Sequence, residues 1–308
     1  MLELRETTLD VDGRATRLLA GGTGPRALLV LHTGAPGRSP IAPSADLLAD
    51  HVARLGLDPA GWTVLAPDLP GAGGTALDDL ADLTTPGVVA FADRVLAHAA
   101  PHATELHLLA QGESSLAALA LTRVGARDGA LPVASLFLIA PNAAAPIGDS
   151  IQNVSLLNPP VPRYGRRSQR WAVDRLAYVP DRVPAAILDR LVADAHGAPH
   201  AAAVALLADP TNDAALLGAQ IDAQDAFYAY CRETGYQVPI GIFWGAADPT
   251  ATVVRGTVLA SVLSGGPAHL DFQLVNRCAH LAQFDRADQL AAAVRSALDR
   301  TTTPAQEV

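Results

Sequence analysis

The sequence predicts a doubly wound α/β fold: a mostly parallel sheet with helices on both faces, interrupted late in the chain by an inserted helical segment. Three observations predict it. Short, mostly apolar runs recur at Ala27–Leu31, Trp62–Ala66, Leu106–Ala110 and Val133–Ala140, and such runs belong to strands covered on both faces. Helical patterns fall between them, and alternation of strand with helix is how parallel strands are connected. The alternation then lapses between about Ile147 and Gln237, a stretch of Pro-rich turns and helical patterns with no strand pattern.

Taken in order, residues 4–20 alternate apolar and polar positions about Val11-Asp12-Gly13, a turn signal that predicts an antiparallel hairpin. Ala27–Leu31 is the first buried strand and ends in the turn-rich loop His32-Thr33-Gly34-Ala35-Pro36-Gly37. A helix follows near Ser44–Leu55 with Ser44 as its N-cap, and then the strand Trp62–Ala66 runs into Pro67-Asp68-Leu69-Pro70-Gly71. Thr84–Ala99 reads as helix, Leu106–Ala110 as strand, Ser114–Arg123 as helix and Val133–Ala140 as strand. Inside the insertion, helical patterns cover Ala185–Ala195 and Ala215–Arg232. Val238–Trp244 resumes the sheet, a helix follows near Val253–Leu263, His269–Val275 is the last strand, and Gln289–Arg300 closes the chain before the polar tail Thr301–Val308. No internal repeat is present. The expected division is a core of residues 1–146 and 238–308 with a helical cap at 147–237.

With 308 residues, half of them hydrophobic, the chain can bury a large core as one domain carrying an insertion. A formal net charge of −9 argues against nucleic-acid and membrane-surface partners, which need a positive face to meet phosphates. A small-molecule substrate is the better expectation. Cys231 and Cys278 lie far apart with no metal-ligand spacing, as in a reducing compartment. No signal segment and no apolar run of membrane-spanning length is seen, so a cytoplasmic protein is expected. Richness in Ala, Arg, Gly and Pro points to a GC-rich bacterial genome.

Leu106–Leu116 reads as a buried strand, a sharp turn and a helix. Its turn has the pattern small-x-nucleophile-x-small, with Ala110 and Ser114 as the small flanks, so the nucleophile position falls on Gly112. Gly245-Ala246-Ala247-Asp248-Pro249 directly follows a strand, and Cys278-Ala279-His280 follows the last one. With Ala66–Gly71, these motifs in this order resemble the α/β-hydrolase superfamily, in its branch with a helical cap, over residues 5–300. The resemblance implies His280 as a general base held by the Asp248 carboxylate. It departs from the family at Gly112, where no side chain exists to form an acyl-enzyme.

The remaining candidates cluster about that turn. The resemblance implies an oxyanion or enolate site made by the backbone N–H of Glu113 at a helix N-terminus and a donor from Thr33-Gly34-Ala35. The Glu113 carboxylate could add to it, although side chains one position past the elbow often pack away. In the cap, Arg163, Arg166, Arg167, Arg170 and Arg175 face only Asp174, which is either a solvated face or a clamp for a substrate anion through Arg163 and Arg167. Tyr228 is a further candidate substrate contact. The resemblance makes His32 structural. His196 and His200 stand four apart, but Gly197 and Pro199 break the helix that would align them, so no metal is expected. No cofactor is expected either. The leading expectation is a serine-free enzyme of elimination, cyclisation, epimerisation or C–C cleavage, such as a tailoring step of bacterial secondary metabolism. Two alternatives stand beside it: a hydrolase using activated water or Ser114, and a ligand-binding pseudoenzyme.

Overall fold

A computed structural model describes residues 2–124, 131–146, 156 and 158–300. Strands β1 (Arg5–Val11) and β2 (Arg14–Gly22) form the expected hairpin. Asp12 and Gly13 both take positive φ, 52° and 85°, which a two-residue turn matched to strand twist requires. The strands β3 (Arg26–Leu31), β4 (Trp62–Pro67), β5 (Glu105–Gln111), β6 (Val133–Ile139), β7 (Ile240–Gly245) and β8 (Leu270–Val275) complete an eight-stranded sheet of order β1-β2-β4-β3-β5-β6-β7-β8. Among the described residues the β1–β2 and β2–β4 pairings are antiparallel and the other five are parallel.

Because successive side chains of a strand point to opposite faces, each apolar run feeds two cores. Leu29, Leu31, Leu108, Ala110, Leu136 and Leu138 face one side, where helices α2 (Thr85–Ala99) and α3 (Ser115–Val124) bring Phe91, Val95, Leu116 and Leu119. Leu28, Val30, Leu109, Phe137 and Phe243 face the other. They meet Leu48 and Val52 of α1 (Asp46–Ala53) and Leu290 and Val294 of α10 (Ala287–Arg300). Between the faces, buried Arg17 on β2 pairs with Asp68, Asp46 and Glu6. Asp68 also accepts the Ala45 and Gly74 N–H groups, which fixes the loop after β4.

Among the described residues, four α-helices stand in sequence between β6 and β7: α4 (Arg166–Leu176), α5 (Ala185–Ala195), α6 (Ala198–Leu207) and α7 (Pro210–Thr234). Ala172, Val173 and Leu176 of α4 pack on Ile41, Leu47 and Leu281, next to the site described below. Phe227 and Cys231 of α7 join the main core. Helices α8 (Val253–Leu263) and α9 (Ala282–Asp285) flank the last strand. The stretch 147–155 at the head of the expected insertion and the tail 301–308 lie outside the described residues.

Two boundaries differ from expectation for identifiable reasons. Ser44 is not the cap of α1. Leu47 N–H bonds to Ser44 and Leu48 N–H to Ala45, i to i+3 turns that delay the regular helix by one residue, so Ala45 is the N-cap. Helix α7 starts at Pro210, five residues before the apolar pattern suggests, because Asp209 caps it by accepting the Thr211 N–H at 2.8 Å.

His51 on α1 is 2% exposed, and neither ring nitrogen has a hydrogen-bond partner among the described residues. Burial, reinforced by the charges of Arg54 and Arg295, pushes its pKa down from 6.5 to about 4. A value lower in the folded than in the unfolded chain gives stability that is present above pH 6.5 and is lost as the pH falls through 4. The loss amounts to about 3 kcal/mol. Denaturant unfolding at pH 7 and pH 4.5 therefore shows a smaller acid-induced drop for His51→Leu than for the parent chain; equal drops would remove His51 from this role.

Candidate functional site

The site is assembled where β5 turns into α3. At the end of β5 the chain passes through Gly112 at φ 60°, a conformation that costs a side-chain-bearing residue and not glycine. Ser115 Oγ donates to the Gly112 carbonyl at 2.6 Å. Ser114, the nucleophile of the alternative hydrolase reading, turns its hydroxyl back to the strand carbonyls of Leu31 and Gln111 at 2.9 and 3.0 Å. Its hydrogen-bond partners lie in the sheet and not at His280. A Cβ built on Gly112 would overlap Thr33 Oγ1 and stand 2.9 Å from His280 Nε2. The space a nucleophile's side chain would need is filled by the hydroxyl of Thr33.

His280 is 2% exposed and is held on every side. Its carbonyl accepts from Gln111 Nε2 at 2.8 Å, and Gln111 exchanges further hydrogen bonds with buried Gln283. Nδ1 lies 3.1 Å from Asp248 Oδ2 and 3.1 Å from Thr250 Oγ1. Asp248 is aimed by Thr250, whose N–H and hydroxyl both donate to Asp248 Oδ1 at 2.7 Å. The acid loop is tied to the histidine loop by Ala247 N–H to the Cys278 carbonyl. Gly245 permits that approach, since a Cβ there would overlap the carbonyl oxygens of Cys278 and Ala279. Buried Asp285 accepts the N–H groups of Ala279, Tyr178 and Val179, each at 2.9 Å. It thereby joins the histidine loop to the chain leaving α4.

Glu113 does not pack away from the site. Its Oε2 accepts from Thr33 Oγ1 and from the Gly34 N–H, both at 2.8 Å. The Gly34 donor expected for an oxyanion is therefore occupied by the protein's own carboxylate. Thr33 Oγ1 stands at the same time 2.9 Å from His280 Nε2. A hydroxyl has one proton to give. With that proton on the Glu113 side, Thr33 Oγ1 is left to accept from an Nε2–H of His280, while Nδ1 faces the Asp248 carboxylate. Burial alone would lower the His280 pKa, but the charge and hydrogen bond of Asp248, with the charge of Glu113, raise it above the ordinary imidazole value.

A cavity of about 470 Å³ opens on this group, lined among others by Glu113, His280, Thr250, Asn142, Arg38 and Arg255. Its cations are not those expected from the cap. Arg163 is exposed, donates to the Arg38 carbonyl and stacks on Tyr164. Arg167 is exposed on α4, and Tyr228 donates to the Ala144 carbonyl at 2.8 Å. None of these three lines the cavity; their sequence neighbours Arg166 and Arg170 pair with Asp189, Asp174 and Asp181. Arg38 bridges to Asp213 at 2.9 Å, and Arg255 donates to the carbonyls of Pro146 and Ala145. His32 accepts the Leu69 N–H at Nε2 and bonds the Thr33 carbonyl through Nδ1, a neutral ring serving backbone. Among the described residues no cluster of three or more metal-ligating side chains occurs.

The sequence reading missed Thr250, Gln111, Asp285, Arg38 and Arg255. Asp248-Pro249-Thr250 carries a signal for the first, because an aspartate commonly bonds the backbone two residues on. The others act across loops far apart in sequence and leave no local pattern.

No family model and no curated protein matches the sequence. Solved structures do. The chain is similar to 2-hydroxy-6-oxo-6-phenylhexa-2,4-dienoate hydrolase from Rhodococcus sp. strain RHA1, with TM-score 0.68 and 15% identity over 97% of this chain and 100% of that one. It is similar to a variant of the meta-cleavage product hydrolase CumD, with TM-score 0.70 and 14% identity over 96% and 98%. An α/β-hydrolase-fold protein from Burkholderia ambifaria gives TM-score 0.63 and 20% identity over 94% and 96%. At such identities the likeness concerns the fold. The sheet order, the helices on both faces and these likenesses together show that the chain has the α/β-hydrolase fold.

Proposed function

We propose that the chain is an enzyme of acid–base chemistry on a small organic substrate, in which His280, Asp248 and Glu113 do the work a nucleophilic serine does elsewhere. The observation that carries this reading is the Thr33 hydroxyl, which fills the nucleophile's space and links His280 to a second carboxylate. An imidazolium faces the cavity as an acid, and Glu113 stands beside it as a base. A substrate with an acidic C–H next to a carbonyl would lose that proton to Glu113 and receive one from His280 at its oxygen or leaving group. Elimination, epimerisation and cyclisation share this step; in C–C cleavage of a β-hydroxy ketone Glu113 would instead take the hydroxyl proton as the C–C bond breaks, and His280 would protonate the enolate released. The polar wall of the cavity, with Arg38 and Arg255, suits a substrate bearing an anionic or carbonyl group.

Hydrolysis by water activated at the same groups is the second reading, favoured by the hydrolase names of the similar structures. A tailoring role in bacterial secondary metabolism is compatible with either. Nucleophilic attack by Ser114 is not part of the proposal, since that hydroxyl serves the carbonyls of Leu31 and Gln111.

Two outcomes test the reading. Treatment of the folded protein with a broad serine-reactive fluorophosphonate, followed by intact-mass measurement and peptide mapping, leaves Ser114 unlabelled; an adduct there would replace the proposal with a serine hydrolase. On a panel of β-hydroxy ketones and 1,3-dicarbonyls in D2O, followed by proton NMR, His280→Ala reduces exchange or elimination by about 10²-fold or more. The sign of the pH dependence follows from the raised His280 pKa. The imidazolium is present below that value and is lost as the pH rises through it, so the alkaline limb of kcat/KM lies above pH 6.5. The same sign holds for stability, which the His280–Asp248 pair contributes below the unfolded pKa and loses above the folded one. A limb below pH 6.5 would contradict this assignment.

A further inference from the structure

The mechanism above leaves unexplained why a threonine from the loop after β3 lies between the acid and the base. We infer that Thr33 is a proton relay connecting His280 Nε2 to Glu113 Oε2, and that the missing side chain at position 112 is what makes room for it. The inference deepens the acid–base reading and rests on it. Geometry carries it. Thr33 Oγ1 is 2.8 Å from one group and 2.9 Å from the other, both within normal hydrogen-bond reach. Glu113 is also held by the Gly34 N–H, so the carboxylate has an anchor that does not depend on Thr33. Any side chain at 112 would overlap the Thr33 hydroxyl.

The transfer balances. Thr33 gives its O–H proton to Glu113 Oε2 while it takes the Nε2–H proton of His280. One O–H and one N–H bond break, two O–H bonds form, and the hydroxyl is unchanged. The pair of imidazolium and carboxylate becomes neutral imidazole and carboxylic acid, and the reverse restores it. Acid and base thus exchange roles without solvent. This suits reactions in which one substrate atom surrenders a proton and another accepts one, because each turnover leaves the base protonated and the acid deprotonated. The substrate class is a carbon acid beside a carbonyl that shifts a double bond or expels a hydroxyl group on the face where the proton leaves.

The test needs no substrate. The ring resonances of His280 are followed against pH in protein labelled at its nine histidines, with His280→Gln giving the assignment. Parent, Thr33→Ser, Thr33→Val, Glu113→Gln and the double variant Thr33→Val with Glu113→Gln are compared. The other charges near His280, namely Asp248 on Nδ1 and Arg38 and Arg255 on the cavity wall, are common to all five. Glu113 keeps its Gly34 anchor in Thr33→Val, so its charge still acts through space. A relay predicts that Thr33→Val lowers the His280 titration by about one pH unit, that Thr33→Ser restores it, and that Glu113→Gln lowers it by less on top of Thr33→Val than it does alone. If Thr33→Val titrates like the parent, or if the two substitutions are additive, only through-space charge links the groups and the relay is overturned. A fluorophosphonate adduct mapped to Thr33 would overturn it as well, making that hydroxyl a nucleophile. Failure of the acid–base reading would appear instead as turnover indifferent to His280→Ala, whatever the titrations show.

Discussion

The absence of a side chain at position 112 is the constraint on which the site depends. A backbone at φ 60° with only hydrogen atoms on Cα lets the loop after β3 close on the turn after β5, and Thr33 enters the space between. Had a Cβ stood there, Thr33 Oγ1 could not lie within hydrogen-bond distance of His280 and Glu113 together. The turn, the two loops and the histidine are therefore one packing problem with one solution.

That packing sets the electrostatics. A buried imidazole normally prefers to be neutral, because removing a charge from water is costly. Here Asp248 touches Nδ1 and Glu113 reaches Nε2 through a hydroxyl, so two carboxylates offset the desolvation of one ring. His51 shows the contrast within the same molecule: also buried, but with two arginines nearby and no acceptor among the described residues, it is driven neutral. Burial drives His51 neutral, and at His280 the carboxylate partners outweigh it.

Rigid support makes the arrangement usable. Gln111 and Gln283 hold the His280 backbone from below, Asp285 ties it to the chain leaving α4, and Ala247 joins the acid loop to the histidine loop. A catalytic group misplaced by an ångström loses much of its effect. These buried polar side chains are satisfied, and so they hold position instead of costing stability.

The sequence by itself determined the architecture. Runs such as Ala27–Leu31 and Leu106–Ala110 read as strands buried on both faces, and their alternation with helices set a parallel sheet; the motif order, through its resemblance to the α/β-hydrolase superfamily, implied that the sheet's loops bring Gly112, Asp248 and His280 to one end. Local periodicity and turn chemistry carry that information, because each element satisfies its own backbone and apolar face. The direction of the Glu113 side chain, the entry of Thr33, the supporting roles of Gln111 and Asp285, and the choice of Arg38 and Arg255 over Arg163 and Arg167 at the cavity were decided by tertiary structure alone. Each depends on which atoms fill the space between segments dozens to hundreds of residues apart, and no periodic pattern in the chain encodes such a contact.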